Sequence, residues 1–313
     1  MMNATRVRLL AGLALMAVPM AAPVAAQQQD FSKVEIKVIP AAGNIYMLQG
    51  AGGNIGVSAG SDGILIVDDQ YAPLAERIRA ALKGINSGGK LKFVLNTHWH
   101  GDHTGNNATF GPEAPIIAQE NVRKRLSAEQ HIMGETVPAS PGEALPVITF
   151  QDSVSVHFNG EEIKVIHYPH GHTDGDSVIF FTKSNVVHMG DDFFRDRFPF
   201  VDLDSGGSVQ GMTAGVAKVL SQIPADAKVI PGHGPLSTVE NLKTYHRMLT
   251  ETTAIVQKQI KAKKTLAQIK TAGLPDQWKE WGSGFIKTDV WIETIYNSLT
   301  KKMPAEPAST THH

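Results

Sequence analysis

The 313-residue chain contains no cysteine, which excludes disulfides and thiolate metal ligands alike. Any metal it holds is bound by nitrogen and oxygen. Nor does either charge prevail, since 29 Lys and Arg face 30 Asp and Glu. No strong net field therefore marks nucleic acid or an acidic membrane surface as a partner. A long apolar run occurs at the N-terminus, where Arg6 and Arg8 precede LLAGLALMAVPM and then AAPVAA. This run contains Pro19 and is shorter than the roughly 20 apolar residues that span a bilayer. Residues 1–26 read instead as a secretory signal cleaved after Ala26, which predicts a periplasmic or secreted protein with no membrane attachment after cleavage. No cysteine follows that point to carry a lipid anchor.

What is present is a chain with 42% apolar residues, enough to build a sizeable core. From Val34 short branched runs alternate with Gly, Asn and Asp: VEIKVI, NIYMLQ, NIGVSAG and GILIVDD. They predict strands in a meander. LAERIRAALKGI over 74–85 carries apolar residues at helical spacing, and KFVLN over 92–96 returns to strand. The second half repeats the scheme with strands at 154–158, 162–168, 177–181 and 185–190, a helix over about 208–221 and a strand at 227–230. Strands followed by helix and strand, twice over, predict two sheets packed face to face with helices outside. Ser237-Thr238-Val239-Glu240 then signals a helix start, and helical patterning dominates to the end. Residues 31–303 are expected to form one domain, helical from about 240, followed by a loose tail over 304–313.

The chemistry concentrates in NTHWHGDHTGNN, residues 96–107, directly behind a strand. In an extended segment His98 and His100 project to one side and Trp99 to the other, so two imidazoles converge. Gly101 lets the chain turn, so Asp102 and His103 can face a neighbouring position. Further candidates lie at strand ends: His172 in PHGHTDGDS, Asp191 in HMGDDFF and His233 in IPGHGP. His157, His167 and His188 lie within strands and are expected to be packed or surface residues; His170 is a weaker competitor of His172.

In combination and order, THWHGDH, GHTDGD, MGDD and PGHG resemble the signature of the metallo-β-lactamase superfamily, and IVDD at 66–69 resembles its first motif. The resemblance implies an α/β, αββα four-layer sandwich with metals at one edge of the two sheets. It implies that His98, His100 and His172 hold a first metal, that Asp102, His103 and His233 hold a second, and that Asp191 bridges them. Asp68 would orient a ligand from behind. Two zinc ions suit this nitrogen-rich set and would make hydroxide available at neutral pH, with Asp102 as the catalytic carboxylate that orients it.

These readings predict an exported dinuclear zinc hydrolase cleaving acyl bonds of a small molecule, with β-lactam hydrolysis as the leading activity. The ligand set also resembles that of glyoxalase II and the lactonases, which leaves a lactonase or other ester or thioester hydrolase as the alternative. A non-catalytic metal-binding protein on the same scaffold is a third. The β-lactam reading rests in part on Arg195 and Arg197, which follow the bridging position and are candidates to bind a substrate carboxylate. The stretch 132–146 is long enough to lie over the cleft.

Overall fold

The computed structural model describes residues 30–300, so the signal expected over 1–26 and the tail over 304–313 lie outside the described residues. Strands β1 (Lys37–Ala42), β2 (Ile45–Gln49), β3 (Ile55–Gly60) and β4 (Gly63–Val67) form an antiparallel meander. Helix α1 (Ala75–Ile85) crosses to β5 (Leu91–Leu95), which runs parallel to β4. Two single-turn helices, α2 (Gly101–Thr104) and α3 (Asn107–Phe110), lead to β6 (Ile116–Gln119) and α4 (Glu120–Leu126). A small hairpin, β7 (Gln130–Ile132) and β8 (Glu135–Val137), then precedes β9 (Ile148–Phe150), which completes a seven-stranded sheet in the order β1-β2-β3-β4-β5-β6-β9.

The second sheet has six strands in chain order: β10 (Ser153–Phe158), β11 (Glu161–His167), β12 (Ser177–Phe181), β13 (Val186–His188), β14 (Lys228–Ile230) and β15 (Ser237–Thr238). Helix α5 (Val209–Gln222) carries the chain from β13 to its parallel neighbour β14. Three more helices follow, α6 (Val239–Lys261), α7 (Leu266–Ala272) and α8 (Thr288–Thr300). Ser208 caps α5 and a Thr238/Asn241 capping box opens α6, each accepting a hydrogen bond from an amide that the helix cannot satisfy.

The layering follows from residue alternation along buried strands. In β4, Leu65 and Val67 face the second sheet and meet Ile163, Val165, Ile179 and Phe181. Ile64 and Ile66 face the other way and pack with Ile78 and Leu82 of α1. Both faces are apolar because helices cover one and a second sheet covers the other. Truncating a side chain such as Leu65 to Ala would cost about 2–5 kcal/mol through lost burial and the cavity left behind.

The C-terminal helices belong to the outer layer. Trp291, Ile292 and Ile295 share one apolar cluster with Val209, Met212 and Val216 of α5, and Trp291 Nε1 donates to Thr252 Oγ1 at 3.1 Å. The order is thus helix, sheet, sheet, helices, the αββα sandwich expected. Among the described residues no helix is long and apolar enough to cross a membrane.

Candidate metal centre

Every predicted ligand leaves the scaffold at the end of a strand. His98, His100, Asp102 and His103 follow β5, His172 lies between β11 and β12, Asp191 follows β13 and His233 follows β14. Parallel pairing of β4 with β5 and of β13 with β14 sends these ends to one edge of the sandwich. Tight backbone approach completes the convergence. A Cβ on Gly232, the glycine of PGHG, would run into Asp191 Oδ1, and one on Gly53 would run into the His103 ring.

The structure brings together His98, His100 and His172 in one group, His98, His103 and Asp191 in another, and Asp102, His103 and His233 in a third, each with ligand atoms within 4.8 Å of one another. Asp191 divides its carboxylate between the two sides. Oδ2 lies 3.6 Å from His172 Nε2 and 4.0 Å from His98 Nε2. Oδ1 lies 3.0 Å from His103 Nε2 and 3.4 Å from His233 Nε2. His233 Nε2 also sits 3.2 Å from Asp102 Oδ2.

The far nitrogens of the rings decide what these atoms can do. His172 Nδ1 lies 2.8 Å from the carbonyl oxygen of Phe200, a pure acceptor, so it carries the proton and Nε2 presents a lone pair. His100 Nε2 meets Asp202 Oδ2 at 2.9 Å, and by the same logic its Nδ1 is a lone pair. Those two lone pairs face each other at 2.8 Å, an arrangement that a cation between them relieves.

Asp68 fixes the other side. Its Oδ1 accepts from the Thr97 amide at 2.7 Å, and its Oδ2 accepts from Thr97 Oγ1 and His103 Nδ1, each at 2.7 Å. Because the Thr97 hydroxyl donates to Asp68, it accepts from His98 Nδ1 at 2.9 Å, which leaves His98 Nε2 bare. His98 Nε2, His103 Nε2 and Asp191 Oδ1 are buried without a hydrogen-bond partner. Buried nitrogens and oxygens aimed at common points fit divalent cations, with His103 giving up its Nε2 proton when an ion binds. Asp68 holds this network from a left-handed backbone (φ 64°), a strained conformation that its three hydrogen bonds offset.

Charge differs across the centre. Burial drives His98 well below the usual histidine range and pulls His172 down to about 4. Burial would also lower His103 and His233, but neighbouring carboxylates, with Asp191 foremost, outweigh it, raising His103 well above its ordinary value and His233 to about 9. Asp102, opposed by burial, is brought down to about 2 by His103 and His233 and is an anion at neutral pH.

Several residues here escaped sequence reasoning. Asp202 and the Phe200 carbonyl come from one loop, which the Phe198 amide ties to the carbonyl of Trp281 at 3.2 Å. The C-terminal segment thereby braces the groups that orient His100 and His172. Asp192, whose buried carboxyl is pushed up to about 7, accepts from the His172 amide at 3.2 Å. Asn54 spans from the first sheet to the Pro231 and Gly234 carbonyls at 2.9 and 2.8 Å. Tyr71 lies beside Gly52 near Asp102, and burial together with that anion pushes its phenol up to about 12. The second Asp of MGDD was a visible signal; the other contacts depend on distant chain segments.

His170 bonds the Gly206 carbonyl at 3.0 Å, and buried His188 bonds Asn54 O at 3.0 Å; neither joins the ligand groups. Arg195 Nε pairs with Asp196 Oδ2 at 2.6 Å and its Nη1 reaches Ser237 Oγ at 3.3 Å. Arg197 Nε donates to the Arg195 carbonyl at 3.3 Å. The stretch 132–146 contains β8 and a short 3-10 turn at Gly142–Ala144 rather than a bare loop.

The profile of the metallo-beta-lactamase superfamily matches residues 39–270. The chain belongs to this superfamily. A probable metallo-hydrolase of Streptococcus pyogenes is 25% identical over 198 residues, 58% of this chain and 82% of that protein. A hydroxyacylglutathione hydrolase of Prochlorococcus marinus is 28% identical over 183 residues, 51% of this chain and 63% of that protein, so the match stops short of two thirds of its length. The crystal structure of DIM-1 metallo-beta-lactamase superposes with a TM-score of 0.55 at 21% identity, covering 70% of this chain and 99% of that one. That likeness establishes the shared fold. The protein is accordingly a metallo-hydrolase of the superfamily with His and Asp clusters that can bind metal.

Proposed function

We propose that this superfamily member is an exported dinuclear zinc hydrolase that opens acyl bonds of small molecules, β-lactams among them. The observation that carries the reading is the divided carboxylate of Asp191, set between a three-histidine group and an Asp-His-His group, with His98 Nε2, His103 Nε2 and Asp191 Oδ1 buried there without a hydrogen-bond partner. His98, His100 and His172 would hold one ion, Asp102, His103 and His233 the other, with Asp191 shared. Such ions supply acidified water and polarisation of a carbonyl. Asp102, ionised at neutral pH and about one-fifth exposed, accepts a hydrogen bond from the attacking water and orients it toward the acyl carbon. Asp68, Thr97, Asp202 and the Phe200 carbonyl keep the imidazoles in the tautomers the site needs.

A second reading, hydrolysis of lactones, esters or thioesters in preference to β-lactams, is supported by the position of Arg195. Its guanidinium is already matched by Asp196, which weakens it as an anchor for a substrate carboxylate. The hydroxyacylglutathione hydrolase relative is compatible with this reading. A panel of cephalosporins, carbapenems, lactones and thioesters, assayed with zinc and again with chelator, tests both. Chelator-sensitive turnover of a cephalosporin or carbapenem is expected; turnover confined to lactones and esters would move the protein to the second reading, and turnover of none would sink both.

A further inference from the structure

A half-enclosed cavity of about 220 Å³ adjoins the centre and shares His100 and Gly101 with it. Trp99 forms one wall, Leu126 of α4 another, and Ile132, Val137, Pro138 and Pro141 of the hairpin segment roof the rest. The alternation that turns His98 and His100 toward the metals turns Trp99 away, and this cavity is one of the places its indole borders. Larger grooves exist, such as one of about 540 Å³ between Arg79 and Glu113, but none of its lining residues belongs to the metal centre.

The charge of the wall is spent internally. Arg125 borders the cavity, yet its Nε and Nη2 make a bidentate pair with Asp174, each bond 2.7 Å, and its Nη1 donates to Gln130 Oε1 at 3.1 Å. An anion entering here would have to compete with a geometrically matched carboxylate. An uncharged apolar group meets no such competition.

We infer that this cavity seats an uncharged, apolar acyl side group of the substrate while the scissile carbonyl lies at the metal centre. The inference rests on the acyl-hydrolase reading above. Volume bounds the occupant, because a cavity of about 150 Å³ accepts benzene. At about 220 Å³ the space suits a substituted ring or a straight chain of roughly six carbons. His100 lines this cavity and is also one of the candidate ligands, and that adjacency favours a substrate group over a separate ligand.

Two measurements on the full-length protein test this. Straight-chain amides from propanamide to octanamide, followed by ligand-observed NMR with and without zinc, should bind up to about fourfold tighter per added methylene until roughly six carbons, and then level off. Ala108→Trp at the exposed cavity edge and Val137→Asp on the roof should remove that dependence. In parallel, hydrolysis of p-nitrophenyl hexanoate should fall at least about tenfold in both variants, with p-nitrophenyl acetate unaffected. Binding that ignores chain length, or that survives both substitutions, would overturn the inference even if acetate is hydrolysed. A dimer that Val137→Asp dissolves, together with no amide binding, would also overturn it by assigning the roof to a second copy. Chain-length-dependent amide binding without any ester hydrolysis would uphold the cavity and sink the hydrolase reading instead.

Discussion

The two halves of the metal centre are built on opposite electrostatic terms. On one side His98, His100 and His172 are almost wholly buried, and burial keeps His98 and His172 neutral without help from a metal. On the other side Asp102 and His233 are about one-fifth exposed, and carboxylates hold protons on His103 and His233. The first half is ready to receive a cation. The second must shed protons first, so it depends on pH and on Asp191 in a way its neighbour does not.

The strongest way to break this contrast is to remove the group both halves share. Hydrogen-bonding partners behind metal ligands are typically worth about 10–100-fold in affinity or activity, so loss of a shared ligand should exceed that range. Asp191→Ala is expected to cut hydrolysis more than about 100-fold while circular dichroism stays native. Retention of wild-type rate and metal content would remove Asp191 from the centre.

Acid should separate the halves next. Each proton displaced by a metal changes affinity about tenfold per pH unit below the ligand's pKa. With His233 at about 9, affinity of the Asp-His-His side should fall at least about 100-fold from pH 8 to pH 6. With His172 at about 4 and His98 held low by burial, those two rings have no proton to shed, so the three-histidine side should weaken less over the same interval. Zinc titrations against a competing chelator at both pH values would show this; parallel weakening of two sites would contradict it.

A smaller effect should confine itself to one half. Asp202→Asn keeps the shape but can turn an amide N–H toward His100 Nε2, and zinc affinity of the three-histidine side should drop by about tenfold. Cobalt absorption would reveal which site changed, and a perturbation restricted to the other ion would contradict the assignment. Smallest of all is Arg195→Ala. Its partner Asp196 is exposed, and exposed pairs contribute about 0–1 kcal/mol, so a change of no more than about fivefold in KM is expected for a β-lactam. A rise beyond tenfold would restore Arg195 as the carboxylate anchor.

How far these features were legible depends on whether they are local. The strand-end motif at 96–107 carries alternation and a turn glycine within a few residues, so its folding onto one edge could be anticipated. The Thr238 cap and the apolar run of β4 are similarly local. Asp202 gave no such signal, because its value comes from lying 2.9 Å from a histidine 102 residues away. The β7–β8 hairpin was hidden for another reason. Glu135–Val137 is exposed throughout, so it lacks the apolar alternation that identifies a half-buried strand, and the cavity it roofs could not be foreseen. Arg195 is the reverse case: proximity in sequence to Asp191 suggested a substrate contact, while its ion pair with Asp196 is a competing partner that the reading did not weigh.

The central claim is that one carboxylate joins two metal sites of unlike character. Anomalous diffraction from zinc-loaded crystals, collected at pH 8 and pH 6, tests it most directly. The account predicts two peaks at pH 8, one ringed by His98, His100 and His172 and the other by Asp102, His103 and His233, with Oδ2 of Asp191 toward the first and Oδ1 toward the second. At pH 6 the second peak should lose occupancy while the first persists. A single peak at pH 8, or loss of the three-histidine ion first, would contradict it.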